Sequence, residues 1–246
     1  MDSPYLKRKL RIVGDIPEGY AGPIYYRIIE NQSGPYFTDK FEVDAESAER
    51  RALLHDPRNK DRNILTSGLV LDPEGKVLPE WQAPLKYNIL QDKPLSFEFM
   101  PGGLTSERVH DVIEALDPGK HVFIPIDARW PDGRIERLYS MKWGADFFNA
   151  DVSTPVLNPK LSHLELGTYT NGVKYYKHPD WIMGREAALN PFHFGFLNQN
   201  LIGNLNLFAA EILNNAAVLS EPLMTELRKF GNVFHGADWY VRMGIA

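Results

Sequence analysis

The chain has 246 residues, of which 43% are hydrophobic and 24% charged, and a formal net charge of −5. Such a chain buries about 70% of its unfolded surface as one large domain or two smaller ones, and this composition sets intrinsic disorder aside. It contains no cysteine, which excludes disulfides, thiolate zinc sites, iron-sulfur clusters and cysteine nucleophiles. No cofactor is expected. Lys7, Arg8, Lys9 and Arg11 lie near the start, but no apolar signal region follows them and no run of about 18 apolar residues occurs anywhere. The expectation is a cytoplasmic protein with no membrane span. The acidic excess falls mainly in the middle, where residues 63–160 carry 10 basic against 14 acidic side chains. That pattern argues against nucleic acid as a partner, because phosphate contacts need a basic patch, and it favours a basic protein partner or simply a solvated acidic face.

In chain order, residues 24–29 (Ile-Tyr-Tyr-Arg-Ile-Ile) read as a strand, and Asp44 caps a helix from Ala45 to Leu54 that stops before Asp56-Pro57. The charged stretch 56–63 reads as a linker, dividing an N-terminal α+β region, residues 1–62, from a larger domain, residues 63–246. Residues 64–78 read as a hairpin around Asp72-Pro73-Glu74-Gly75. A second hairpin pairs residues 121–126 with 134–141 across the turn Trp130-Pro131-Asp132-Gly133. Asn171-Gly172 gives the clearest turn signal, a type I′ hairpin between Tyr169 and Tyr175. Leu201, Leu205, Phe208 and Ile212 recur at helical spacing and predict one helix. Strands and helices are neither segregated nor strictly alternating. The predicted fold is therefore α+β, with mostly antiparallel sheet and packed amphipathic helices.

One short module occurs twice. Thr105 or Ser106 can cap a helix whose Val109, Val112, Ile113 and Leu116 share a face, followed by Gly119 and the apolar run Val122-Phe123-Ile124. Ser220 can cap a helix with Leu223, Leu227 and Phe230 on one face, followed by Gly231 and Val233-Phe234. Leu104 with Val109, if Thr105 is the cap, and Leu219 with Met224 take the positions of hydrophobic staples. The repeat is either an internal duplication of a cap-helix-strand module or a coincidence of two common shapes.

Enzyme signatures are missing: there is no Gly-x-Gly-x-x-Gly, no phosphate-binding loop, no Gly-x-Ser-x-Gly and no His-Glu-x-x-His. His163, His178 and His193 could be gathered by a fold into a metal-assisted hydrolytic site, and Glu98, Asp127 and Glu136 into a carboxylate pair. Structural histidines and solvated strand charges account for the same residues more simply. For a binding protein, Trp130 at a hairpin tip beside Asp132 is hard to bury within its own hairpin. Trp143 lies close in sequence to Asp146, Phe147, Phe148 and Asp151. Aromatic anchors ringed by acid suit a basic partner, which makes Trp130, Asp132, Trp143, Asp146 and Asp151 the candidate contact residues. Core packing of Trp143, Phe147 and Phe148 is the plainer alternative.

The run from Leu104 to Arg108, on through Pro118-Gly119-Lys120-His121-Val122-Phe123-Ile124-Pro125-Ile126 to Asp132-Gly133 and Leu138-Tyr139, resembles the core of a bacterial immunity protein family, family eleven. The segment from Leu205 to Phe208 and from Ala217 to Phe230 resembles its ending, so that the likeness spans roughly residues 75–246. The resemblance implies a cytoplasmic protein that binds and neutralises a cognate toxin of a polymorphic or contact-dependent system, without catalytic residues. An adaptor or chaperone that carries a secreted effector is the other binding role open to it. Oligomeric state is not legible in the chain.

Overall fold

The computed structural model describes residues 11–30, 41–54, 78–90, 104–142, 146–148, 151–168, 170–177, 194–213, 216–230 and 237–246. In chain order these form strands β1 (Arg11–Val13), β2 (Tyr25–Glu30) and β3 (Phe41–Val43), then helices α1 (Ala45–Leu54) and α2 (Pro79–Gln82). Strands β4 (Leu85–Ile89) and β5 (Leu104–Ser106), helix α3 (Glu107–Leu116), and strands β6 (Val122–Arg129), β7 (Ile135–Lys142) and β8 (Phe147–Phe148) follow. Next come β9 (Glu165–Thr168), β10 (Lys174–Lys177), β11 (Gly195–Leu197), the short helix α4 (Gln199–Ile202) and β12 (Leu207–Ala210). The last elements are β13 (Ala217–Ser220), helix α5 (Glu221–Arg228) and β14 (Ala237–Ile245). Pairing is mostly antiparallel, with parallel contacts at β4/β6, β1/β14, β11/β14 and β8/β12, so the fold is α+β as expected.

The chain divides into two compact units. A middle unit consists of Gln32–Ala145 with Phe230–His235, and a terminal unit of Met1–Asn31, Asp146–Lys229 and Gly236–Ala246. The boundary expected at residues 62/63, the linker 56–63 and nearly all of the hairpin 64–78 lie outside the described residues.

The middle unit is built on a sheet of order β3-β4-β6-β7-β5. Alternation decides its faces. In β6, Val122, Ile124, Ile126 and Ala128 are buried, and together with Leu85, Tyr87 and Ile89 of β4, Leu138 of β7 and Trp81 of α2 they form the core on one side. The opposite face receives α3, whose Val109 and Ile113 are fully buried. There His110 stacks on Tyr139 of β7 with ring centroids 3.9 Å apart and meets Phe123 edge-on at 4.7 Å. At the start of α1 the expected cap is present: the Ser47 amide donates to Asp44 Oδ1 at 2.8 Å, and Ser47 Oγ accepts the Lys86 amide of β4.

In the terminal unit the sheet order is β1-β14-β2-β13-β12-β8, with β11 also pairing β14. One face carries the core of Tyr25, Phe208, Val218 and Met243, covered by Val156, Leu157, Leu197 and Ile202. α5 lies against β13 and β2 through Leu223, Met224 and Leu227, on the side where the Tyr26 hydroxyl approaches Glu221.

Two expectations are corrected here. Residues 201–212 are not one helix: α4 ends at Gly203 (φ 55°), and Leu207–Ala210 are buried as a strand between β13 and β8. A fully buried apolar run has no polar face to reveal its period, so Leu201, Leu205, Phe208 and Ile212 fit a helix by spacing alone. The Asn171-Gly172 hairpin exists, pairing Thr168 with Lys174, but it is not type I′. Gly172 has φ 84°, whereas His163 is the sole described non-glycine residue at positive φ. Asn171 instead uses its side chain, accepting the Val173 amide at 3.1 Å.

The two helices of the repeated module sit in the same supersecondary arrangement, while the strand expected at Val233-Phe234 lies outside the described residues. In the middle unit β5 and β6 are joined by α3 and both pair antiparallel with β7, which lies between them. In the terminal unit β13 and β14 are joined by α5 and both pair antiparallel with β2 between them. Each is a split β-α-β unit. The helix caps are Ser106 (φ −71°, ψ 157°) and Ser220 (φ −66°, ψ 158°), and of these Ser220 accepts an amide of its own helix, that of Leu223 at 3.3 Å. With Ser106 as cap, the staple pair of Leu104 and Val109 moves out of position, while Leu219 and Met224 hold theirs, both buried.

Candidate partner-binding surface

The side of the middle unit that carries α3 is only partly covered. α3 buries one stripe and leaves Glu107, Asp111 and the half-buried Glu114 on its outer side at helical spacing. Asp111 Oδ1 lies 2.9 Å from His110 Nδ1, and Glu114 accepts the Gly119 amide at 3.1 Å. Glu107 suits the start of the helix and Glu114 the turn at Gly119, while Asp111, four residues after Glu107, weakens the helix by a few tenths of a kcal/mol. Burial, reinforced by the Glu107 carboxylate, raises the Tyr139 hydroxyl above its ordinary pKa.

Beyond α3 the described residues of the same face are exposed or half-buried. This face presents Lys86, Asn88 and Leu90 along β4 and its continuation, Asp127 and Arg129 on β6, and Ile135 and Arg137 on β7. Arg137 donates to Asp127 at 2.8 and 2.9 Å, a cross-strand ion pair set by direct register. Asn88 pairs with Arg129 and Arg129 with Ile135, so Leu90 (50% exposed) and Ile135 (58% exposed) mark one end of this face. Among the described residues, Leu90 and Ile135 are the large apolar side chains exposed on this face.

The residues singled out from sequence fall differently. Trp130 is not an exposed tip anchor: it is 5% exposed and packs into the core with Trp81, Tyr87 and Ile89. Its Nε1 is buried with no hydrogen-bond partner among the described residues, and the Arg134 guanidinium lies 4.8 Å above its ring. It continues the inward series of residues 122, 124, 126 and 128, and the turn closes beyond it through Gly133 N–H to Trp130 O at 2.9 Å. Asp132 is exposed but engaged by Arg134, which also reaches Glu136 at 3.5 Å. Asp146 is buried at 2% exposure, and its carbonyl accepts the Ala209 amide beside the β8/β12 pair. Asp151 is exposed, and the Ser153 amide, then the Ser153 and Thr154 hydroxyls, hold its carboxyl below the usual carboxylate range. Trp143 lies outside the described residues. The period of three to four that sets the α3 stripe is legible in the sequence, whereas no local pattern sets Leu90 or Ile135 apart.

The alternative catalytic groupings do not assemble among the described residues. Asp127 faces the α3 side and Glu136 the opposite one, and Glu98, His178 and His193 are outside the described set. His163 has a structural position: it sits at φ 52°, ending a turn in which the Leu164 amide donates to Pro159 O and the Ser162 amide to Asn158 O. That is the left-handed position where glycine is most at ease. His163→Gly is expected to stabilise the terminal unit by about 1 kcal/mol, read as a higher denaturant midpoint at unchanged slope. A drop in midpoint would show that the imidazole itself is needed. Among the described residues no group of three or more His, Asp or Glu could hold a metal ion, and no helix is long and apolar enough to cross a membrane.

No curated protein matches this chain. Residues 36–141 match the sequence model of the Immunity protein family (Imm11), a span that includes the run Leu104–Tyr139 on which the resemblance rested and leaves out the C-terminal part of it. The matched span begins and ends within four residues of the long segment of the middle unit, Gln32–Ala145. The segment that builds the middle unit is thus similar to the Imm11 immunity family.

Proposed function

We propose that this protein is an immunity protein that binds a cognate toxin in the cytoplasm and blocks it by covering its surface, without turnover. The observation that carries the reading is the coincidence of the family match with one compact unit: the part of the chain that resembles immunity proteins is also a body with its own sheet and core. The contact surface in this reading is the α3 side of that unit. Leu90 and Ile135 supply apolar anchors, Asp111 and Glu114 face a basic toxin, and Asp132 stands at the rim. A specific interface needs roughly 1,600 Å² in total, to which one side of such a unit contributes about half.

Co-expression with a candidate toxin taken from the neighbouring genes is the direct test. Restored growth together with co-purification is the expected result. Co-purification without restored growth supports the adaptor reading instead, and neither outcome together with free toxin activity sinks the proposal. Within the complex, the double variant Asp111→Lys/Glu114→Lys is expected to weaken binding about ten-fold or more at low salt, mostly through a slower on-rate. Glu107 stays in place because its charge supports the start of α3. Unchanged affinity and salt dependence by surface plasmon resonance would remove α3 from the interface.

A further inference from the structure

β2 is an interior strand of the terminal unit's sheet, and Arg27 stands on the face of β2 that otherwise carries the apolar core. Its direct neighbours across the sheet are Val218 of β13 and Val241 of β14, both buried, and Tyr25 precedes it on the same face. Arg27 Nε is buried without a hydrogen-bond partner, and among the described residues no carboxylate pairs with the guanidinium. Burial alone draws its pKa down to about 10, with no neighbouring charge adding to the effect. The side chain is not sealed, since part of it still reaches solvent.

Burying the Nε of a guanidinium without a hydrogen-bond partner is unfavourable, and a methionine would fill the same space at no such penalty. A buried polar group left unpaired in a folded protein calls for an explanation, and a charged one set among valines and a tyrosine calls for an anion. The guanidinium fork offers parallel N–H donors matched to two oxygens of one group, which an ammonium cannot imitate. We propose that Arg27 is the receptor of an oxyanion site in the terminal unit, taking a carboxylate or phosphate group on the solvent-reaching side of its guanidinium. The site is outside the span that matches the immunity family and does not depend on the toxin-binding reading.

The test is thermal unfolding of the full chain in sodium chloride, inorganic phosphate, acetate or benzoate at equal ionic strength. Wild type is expected to melt higher in at least one oxyanion than in chloride, because a ligand that binds only the folded state stabilises it. A rise with phosphate alone assigns a phosphate group, and a rise with acetate or benzoate assigns a carboxylate. Arg27→Met is expected to melt at or above wild type in chloride and to lose the oxyanion rise. Arg27→Lys, which keeps the charge and loses the fork, is expected to lose most of it and covers the case in which the methionine variant does not fold. No rise in wild type with any oxyanion, or the same rise in both variants, overturns the proposal.

Discussion

Trp130→Ala is expected to destabilise the middle unit by about 3–5 kcal/mol while leaving the terminal unit's protection unchanged. Trp130 is nearly fully buried in a cluster with Trp81, Leu85, Tyr87, Ile89 and the inward side chains of β6. Truncation leaves a cavity that the sheet, fixed by the β4/β6 and β6/β7 registers, cannot collapse to fill. Trp130→Phe should recover much of the loss, because Nε1 makes no hydrogen bond to forfeit. Hydrogen exchange read by mass spectrometry would show faster exchange across residues 104–142 in the alanine variant and native rates in β12 to β14. If instead the variant kept full protection and lost only toxin binding, the indole would be a contact anchor after all, and the packing described above would be wrong.

Phe208→Ala is expected to produce the complementary result, a loss of about 3–5 kcal/mol confined to the terminal unit. Phe208 is fully buried in β12, with ring contacts to Tyr25 at 6.0 Å and Phe148 at 5.5 Å. It therefore links β2, β8 and the segments that cover them. The two variants together test whether the chain unfolds in two steps, since units with separate cores need not share one transition. A single cooperative transition displaced equally by both substitutions would contradict that division.

Much of the local architecture was legible in the sequence, and the failures share a cause. The cap at Asp44, the strand around Tyr25–Ile28 and the β6/β7 hairpin rest on signals with local causes, namely an accepting side chain, alternation and a Pro-Asp-Gly turn. Trp130 was misplaced because the turn signal beginning at that residue hid its place in the inward alternation of β6. Residues 207–210 were misread because burial on both faces erases the pattern that separates strand from helix. The surface was the least legible part. Whether Ile135 or Leu90 is covered depends on how far α3 extends across the sheet, and no local pattern encodes that. The family likeness was visible in the run from Leu104 to Tyr139, but its extent differed, since the match reaches back to residue 36 and stops at 141.

The two split β-α-β motifs differ in when they can close during synthesis. In the middle unit the interposed strand β7 follows directly after β6, so every described strand of that sheet has been synthesised by residue 142. In the terminal unit the interposed strand β2 is made early and its partners β13 and β14 come last. At roughly 5–20 residues per second, β2 waits on the order of ten seconds for them. The middle unit's sheet can therefore pair first, and the terminal sheet only once β14 has been made.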